Sequence, residues 1–364
     1  MAQIRVNERI EEMKKEKLKN KPKSKWQQRL EDATKKQKSE LKMKKAIALF
    51  SGGLDSLLAI KIVKEQGIDV EALNIKIGFS SSDNSEYLQR KADELGVKLT
   101  IVNDIKNFTE TILWSPVNGY GKNLNPCVDC HSNMLKIAWE YAQRYSADFI
   151  ITGEVLNQRP MSQTYTQLRK VNNSTDFQEY IVRPLSAKNL PTSIPEKEGW
   201  VDRDKFYAIN GRSRKVQIAL AEQYGIMEYE TPGGGCLLTE KGSTNKIKAI
   251  KNTTGSLDVT DVSIVSKGRY FKIGDTLLIT GCNKSENDFL REIKSDKYSV
   301  IEPPVVKGPT SLVYNVTEKT KEIVARIILK YCKLTEKNNV LIIDGKKVES
   351  QPFTENEHLK YIIQ

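Results

Sequence analysis

The sequence predicts an α/β fold, a doubly wound parallel sheet with a basic helical arm before it and a smaller α+β domain after it. Three observations carry that expectation. Residues 46–50 (Ala-Ile-Ala-Leu-Phe) are apolar at every position, as a parallel strand buried on both faces requires. A strand–helix rhythm then repeats as far as Thr152, the pattern of parallel strands joined by right-handed crossovers. Beyond about residue 250 the pattern changes to short strands and turns, with two helices among them.

The elements follow in order. Residues 1–45 hold 16 Lys/Arg against 7 Asp/Glu, so most of the formal net charge of +12 lies in this arm. Such a distribution suits contact with a polyanion or a solvated tail. Asn20-Lys21-Pro22 should divide the arm into two helical pieces. The body, expected at residues 46–250, opens with the strand at 46–50 and a helix from Leu57 that stops at Gly67. A second strand is expected at 70–77, a helix at 84–95 closed by Gly96, a third strand at 97–102, a helix at 132–145 and a buried strand at 147–152. The loop-rich stretch 153–240 suits segments that hang over a sheet and carry function, with one helix expected at 213–224. In the last domain, 251–364, strands are expected at 261–266, 270–273, 276–280 and 340–343, and helices at 285–293 and 318–331.

At 38% hydrophobic and 29% charged residues over 364 positions, the chain suits a soluble protein of two or three domains. It has no apolar run of membrane-spanning length and no signal-like start, so a cytoplasmic location and no membrane partner are expected. Five cysteines, an odd number, point in that compartment to chemistry or metal rather than a disulfide framework.

Two motifs carry the chemistry. Ser51-Gly52-Gly53-Leu54-Asp55-Ser56 joins the first strand to the first helix. There free backbone N–H groups and the helix dipole meet an anion, glycines admit a polyphosphate, and Ser51 and Ser56 add hydroxyls. No Gly-Lys-Ser/Thr closes this loop, so it is not a Walker loop. Asp55 beside an anion site favours a bound Mg²⁺ over a plain helix-start charge. The second motif, Asn125-Pro126-Cys127-Val128-Asp129-Cys130-His131, begins a helix, where the dipole makes a thiol more acidic. Cys236 follows in Pro232-Gly233-Gly234-Gly235-Cys236. Three loop cysteines suit a 4Fe–4S cluster on Cys127, Cys130 and Cys236, a persulfide relay, or a zinc site with His131 as fourth ligand. Glu154, at a strand's carboxyl end, suits Mg²⁺, a substrate group or a solvated carboxylate. Gln158, Arg159 and Gln163 suit RNA or nucleotide, and Arg183, Arg212 and Arg214 suit either phosphate or surface ion pairs. Cys282 and Cys332 read as core residues.

The loop at 51–56 resembles that of the PP-loop ATP pyrophosphatases, which split ATP between its α and β phosphates while adenylating a carbonyl oxygen. Taken with Asn125 to Cys130, Gly153 to Gln163 and Pro232 to Cys236, it is similar to the tRNA thiouridine synthases of both the 4-thiouridine and 2-thiouridine kinds, over about residues 45–240. The resemblance implies ATP on Ser51, Gly52, Gly53, Asp55, Ser56 and Gly153, with Mg²⁺ on Asp55. Cys127, Cys130, Cys236 and Asp55 would be catalytic, the three cysteines holding a cluster as in cluster-dependent thiolases. The implied reaction is ATP-dependent tRNA sulfur transfer. A uridine carbonyl is adenylated and its oxygen replaced by sulfur, with tRNA and a sulfur donor (sulfide or a persulfide-carrying protein) as partners. One departure stands out: in the 2-thiouridylase pattern asparagine follows the cysteine pair, and here it is His131. Another carbonyl-adenylating ligase or amidotransferase is the alternative enzyme, and it would not need three cysteines. A non-catalytic RNA-binding protein with a degenerate ATP site is the other alternative. Gly281-Cys282-Asn283, with Glu286 and Asn287, is similar to the RNA-binding domain of the NFACT family, where arginine stands in place of Cys282. Arg269, Tyr270 and Lys272 beside it read either as an exposed set for stacking and neutralising RNA or as part of a purely structural strand pair.

Overall fold

The computed structural model describes residues 43–80, 85–230, 235–304, 306–333 and 339–364. The arm lies outside these but for its last three residues, as do Pro232, Gly233 and Gly234. Residues 45–364 form one compact unit.

Strand β1 (Lys45–Leu49) is the centre of a five-stranded parallel sheet of order β3-β2-β1-β4-β5, with β2 at Asp69–Lys76, β3 at Leu99–Asn103, β4 at Phe149–Ile151 and β5 at Ile181–Val182. It pairs with β2 from Lys45↔Asp69 to Leu49↔Leu73, and with β4 from Ala46↔Phe149 to Ala48↔Ile151. Helices cover both faces, which is why β1 has no polar position in its middle. Ala46 and Ala48 pack in one core with Leu57, Ile60 and Val63 of helix α1 (Leu54–Lys64) and with Leu88 of α2 (Ser85–Leu95). Ile47 packs in the opposite core with Leu135, Ala138 and Ala142 of α3 (Cys127–Arg144) and Val171 of α4 (Tyr165–Asn173). Each of these large side chains is worth about 1.5–3 kcal/mol on burial, which fixes the layers firmly. The sheet order reverses between β1 and β4, so their carboxyl ends open the crevice in which such sheets bind ligands.

Helix α5 (Lys215–Gln223) packs on α1, and α6 (Lys241–Thr254) runs across the expected boundary at residue 250. Ile247 and Ile250 of α6 share a core with Phe79 and Phe108 on one side and Leu277 and Ile279 on the other. The carboxyl-terminal part contains α7 (Val259–Ile264), an antiparallel sheet of order β6-β7-β9-β8 and a hairpin β10-β11. The strands are β6 (Arg269–Ile273), β7 (Thr276–Thr280), β8 (Ser299–Ile301), β9 (Ser311–Tyr314), β10 (Val340–Ile343) and β11 (Lys346–Glu349). Helix α8 (Lys284–Glu292) precedes β8, and α9 (Lys321–Lys330) follows β9.

Several expectations are corrected here. The helix expected from Ser132 starts at Cys127, because Pro126 sits at its N-cap and its carbonyl accepts from Cys130 N at 2.8 Å. The strand expected at 261–266 is helix α7, nucleated by a capping box in which the Asp258 and Asp261 side chains accept from each other's backbone N–H. Tyr270 is fully buried, its hydroxyl donating to Ile264 O at 2.7 Å, so it cannot stack on RNA. Cys282 is exposed, not core, because it sits on the loop beyond β7.

Candidate active site

The turn after β1 is built for close approach. Gly52 has φ +75°, and a Cβ there would come within 2.7 Å of Leu88 Cδ2 and 2.9 Å of Tyr87 Cε1. Tyr87 Oη donates to Gly52 O at 3.0 Å and fixes the turn. Gly53 caps α1 in extended geometry with no side-chain cap, so the helix start keeps donors for an anion. Ser56 Oγ donates to Gly53 O at 2.8 Å, and the exposed Ser51 has its hydroxyl 3.4 Å from that of Ser56. Gly153, just beyond β4, closes the crevice from the other side: a Cβ there would lie 2.7 Å from Asp55 C and Ser56 N. Only glycine admits that approach.

Asp55 faces this crevice. Its Oδ2 accepts from Gln158 Nε2 at 2.6 Å and from Arg214 Nη2 at 2.9 Å. Its Oδ1 is buried without a hydrogen-bond partner, an orphan carboxylate oxygen that suits a hard cation. The residues therefore fit Mg²⁺ bound with a polyphosphate. Arg214 is held by Asp55, whereas Arg212 is exposed.

The start of α3 presents a second constellation. Because the helix begins at Cys127, His131 lies four residues on, over the same face. His131 Nδ1 is 3.0 Å from Glu154 Oε1. Glu154 is buried and also accepts from Arg183 Nε at 2.8 Å and Thr152 Oγ1 at 3.0 Å. Burial opposes the charge on Glu154, yet Arg183 and His131 together hold its carboxyl down at about 2. Burial likewise opposes the imidazolium, and hydrogen bonds to Cys127 and Glu154 raise His131 to about 10. For Cys127 burial works upward, but hydrogen bonds from His131 and Ser162 and the charge of Arg159 bring the thiol below its ordinary range. Cys127, His131 and Glu154 thus form a line in which an imidazolium stands between a carboxylate and a thiol made more acidic. Arg183 is the buried anchor of that line, not a phosphate contact as expected from the sequence.

The other two cysteines differ. Burial pushes Cys130 well above the ordinary thiol range and Cys236 up to about 11, and the neighbouring cysteines add to both shifts. Cys130 sits in the apolar core that joins the two sheets, and the half-buried Cys236 packs against it. The fold therefore brings all three cysteines into one neighbourhood. Among the described residues, however, no group of three or more His, Cys, Asp or Glu side chains is arranged to hold a metal ion. The His131 ring is engaged by Glu154 and Cys127 and is not turned to a zinc ion as a fourth ligand beside the cysteines.

Residues 157–163 lie between the two constellations. Gln158 reaches Asp55, Arg159 is exposed and acts on Cys127, and Ser162 is buried against Cys127. Gln163 is buried with its Oε1 unpartnered. Sequence reasoning missed Ser162, Thr152 and the role of His131. The i, i+4 spacing of Cys127 and His131 was the available signal, hidden by placing the helix start one turn too late.

The family model described as thiamine biosynthesis protein (ThiI) matches residues 42–190, and that of the NFACT protein RNA binding domain matches residues 268–362. The tRNA-specific 2-thiouridylase MnmA of Shewanella oneidensis is 31% identical over 267 residues, 67% of this chain and 68% of that protein. The tRNA-specific 2-thiouridylase MnmA 2 of Fusobacterium nucleatum is 29% identical over 158 residues, 42% of this chain and 46% of that protein. The chain spans about half the length of most of the curated relatives it matches. Among solved structures, a 4-thiouridine synthetase–RNA complex with bound ATP is similar at 24% identity and a TM-score of 0.33, covering 40% of this chain and 37% of that one.

Proposed function

This chain belongs to the family of tRNA thiouridine synthases that includes the tRNA-specific 2-thiouridylases, and from that premise we propose that it is an ATP-dependent tRNA sulfurtransferase making a thiouridine. The observation that carries the reading is the Cys127–His131–Glu154 line beside a phosphate-binding turn, at the switch point of a parallel sheet. The turn at Ser51–Ser56 holds ATP, and Mg²⁺ on Asp55 offsets phosphate charge when bound. The uridine carbonyl oxygen attacks the α-phosphorus and pyrophosphate leaves, giving an O-adenylated uridine. A persulfide-carrying protein has charged Cys127: the Cys127 thiolate attacks the donor's outer sulfur, the donor leaves as a thiolate, and Cys127 keeps the persulfide. Its terminal sulfur attacks the activated ring carbon and AMP leaves. Cys236 then attacks Cys127 Sγ, freeing the thiocarbonyl and closing a Cys127–Cys236 disulfide that a dithiol reductant reopens. Cys236 is chosen over Cys130 because it is only half-buried. His131 stabilises the thiolate side of each step, and Glu154 with Arg183 keeps the imidazole charged and oriented.

RNA reaches this crevice past exposed Tyr120 and Tyr165, which offer stacking surfaces. The carboxyl-terminal part contributes Arg269 and Lys272, without Tyr270. The test is anaerobic incubation with tRNA, ATP and a persulfide donor, following thiouridine and AMP together. Wild type should form both in equal amounts, and Cys127→Ala should form no thiouridine. Thiouridine formation without AMP release, or full activity in Cys127→Ala, overturns the assignment.

A further inference from the structure

The seven residues Asn157 to Gln163 touch the phosphate-binding turn at one end and the sulfur-carrying cysteine at the other. They are a closed, stiff loop. Asn157 N donates to Gln163 O at 2.7 Å, and Gln163 N to Arg159 O at 2.8 Å. The entry is pinned by Leu156 N on Ser186 Oγ at 2.9 Å and by Asn157 Nδ2 on Asn210 Oδ1 at 2.9 Å. The exit runs directly into α4, whose N-cap Thr164 accepts from Gln167 N. Asn157 itself has φ +60°, a geometry that few side chains adopt and that the surrounding bonds must hold.

On the nucleotide side, Gln158 Nε2 donates to Asp55 Oδ2 at 2.6 Å while its Oε1 accepts from the fully buried Gln217 at 2.8 Å. Gln158 is therefore held from both ends and has no freedom to swing away without breaking a buried bond. On the sulfur side, Ser162 is 1% exposed, its N donates to Arg159 O at 3.4 Å, and Ser162 and Arg159 both act to lower the Cys127 thiol. Met161 packs against Gly121, in the loop that leads to Cys127, where a Cβ would meet its Cε at 2.6 Å. Arg159, the neighbour of Gln158, is bonded through its carbonyl to the backbone N–H groups of Ser162 and Gln163, so Gln158 and Ser162 lie on one hydrogen-bonded turn.

We propose that Gln158 and Ser162 are positioning residues for the thiolation reaction, and that loop 157–163 couples occupancy at Asp55 to the state of Cys127. The inference rests on the sulfurtransferase reading and deepens it. A cation on the orphan Asp55 Oδ1 fixes the carboxylate, hence Gln158, hence the hold of Ser162 on Cys127. Enlarging Cys127, whether by a persulfide sulfur or an adduct, pushes back along the same path and is felt at the nucleotide. Coupling free energies are reciprocal, so either direction measures the same quantity.

The experiment measures the Kd of Mg·ATP by calorimetry for the full chain before and after carboxamidomethylation of Cys127, in a Cys282→Ser, Cys332→Ser background, with mass spectrometry confirming the modified site. The expected result is a weakening of at least about fivefold, the low end of common site-to-site coupling. In Gln158→Leu the modified and unmodified proteins should bind Mg·ATP equally. An adduct that merely clashed with ATP would weaken binding in Gln158→Leu as well. A Kd within twofold in wild type, or an equal shift in Gln158→Leu, overturns the coupling while leaving the sulfurtransferase reading intact. Failure of unmodified protein to bind Mg·ATP at all overturns both.

Discussion

Replacing His131 with asparagine, the residue of the 2-thiouridylase pattern at this place, tests the source of Cys127 reactivity. The substitution keeps a hydrogen-bonding side chain beside Glu154 and removes one positive charge that stands between Glu154 and Cys127. Losing that opposite charge raises the Cys127 thiol, so at neutral pH the thiolate population should fall. The more basic thiolate that remains is also more nucleophilic, and a Brønsted slope of about 0.4–0.5 returns nearly half of that loss on a logarithmic scale. The net expectation is a Cys127 alkylation rate several-fold lower at pH 7, with the midpoint of the rate–pH curve moved upward. The sign is set by the native thiol lying below its ordinary range. The assay is iodoacetamide labelling followed peptide by peptide between pH 5 and 10. A rate and midpoint unchanged in His131→Asn would refute the thiolate–imidazolium pair, and a parallel loss at the buried Cys130 would show general unfolding instead.

Other outcomes follow from the same geometry. Glu154 is held at about 2 against an ordinary 4.5, so its contribution to stability is present above pH 4.5 and lost as pH falls toward 2. His131 is raised to about 10 from 6.5, so its contribution is complete below pH 6.5 and lost as pH rises through about 10. The Tm difference between wild type and His131→Asn should therefore be widest between pH 4.5 and 6.5; a flat difference across pH 4–10 contradicts the pairing. Gly153→Ala places a Cβ 2.7 Å from the Asp55 and Ser56 backbone, so the turn must move; Mg·ATP affinity should drop at least tenfold, measured by calorimetry on protein whose Tm shows it folded. Tyr270→Phe removes a buried hydroxyl bonded to Ile264 O and should cost about 1–3 kcal/mol in urea unfolding, with RNA affinity unchanged. Weaker RNA binding at unaltered stability would restore Tyr270 to the surface.

Where the sequence was legible, the signal was local. The run of apolar residues at 46–50 announces a doubly covered strand because no neighbour's identity is needed to exclude water from both its faces. Val340–Ile343 and Thr276–Thr280 were readable to the residue because turn-forming pairs bound them. The start of α3 was misplaced since a proline at an N-cap and a cysteine at the first position are weak helix signals by themselves. Helix α7 was read as a strand because its β-branched residues dominate, while the capping box that decides it consists of two short carboxylates.

The sequence by itself determined that ATP phosphates would have a strand–glycine–helix turn to bind, and that cysteines would stand near it, since both are properties of contiguous residues. Only the tertiary structure decided which cysteine thiol is made more acidic and which are pushed up. Cys127 owes its character to His131 on its own helix, Ser162 and Arg159 on a loop 30 residues away, and Glu154 and Arg183 at the ends of two strands. Cys130, three residues from Cys127 on the same helix, faces an apolar core and stays neutral. Desolvation and charge act through space, so two thiols with the same local sequence context part company only when the chain is folded.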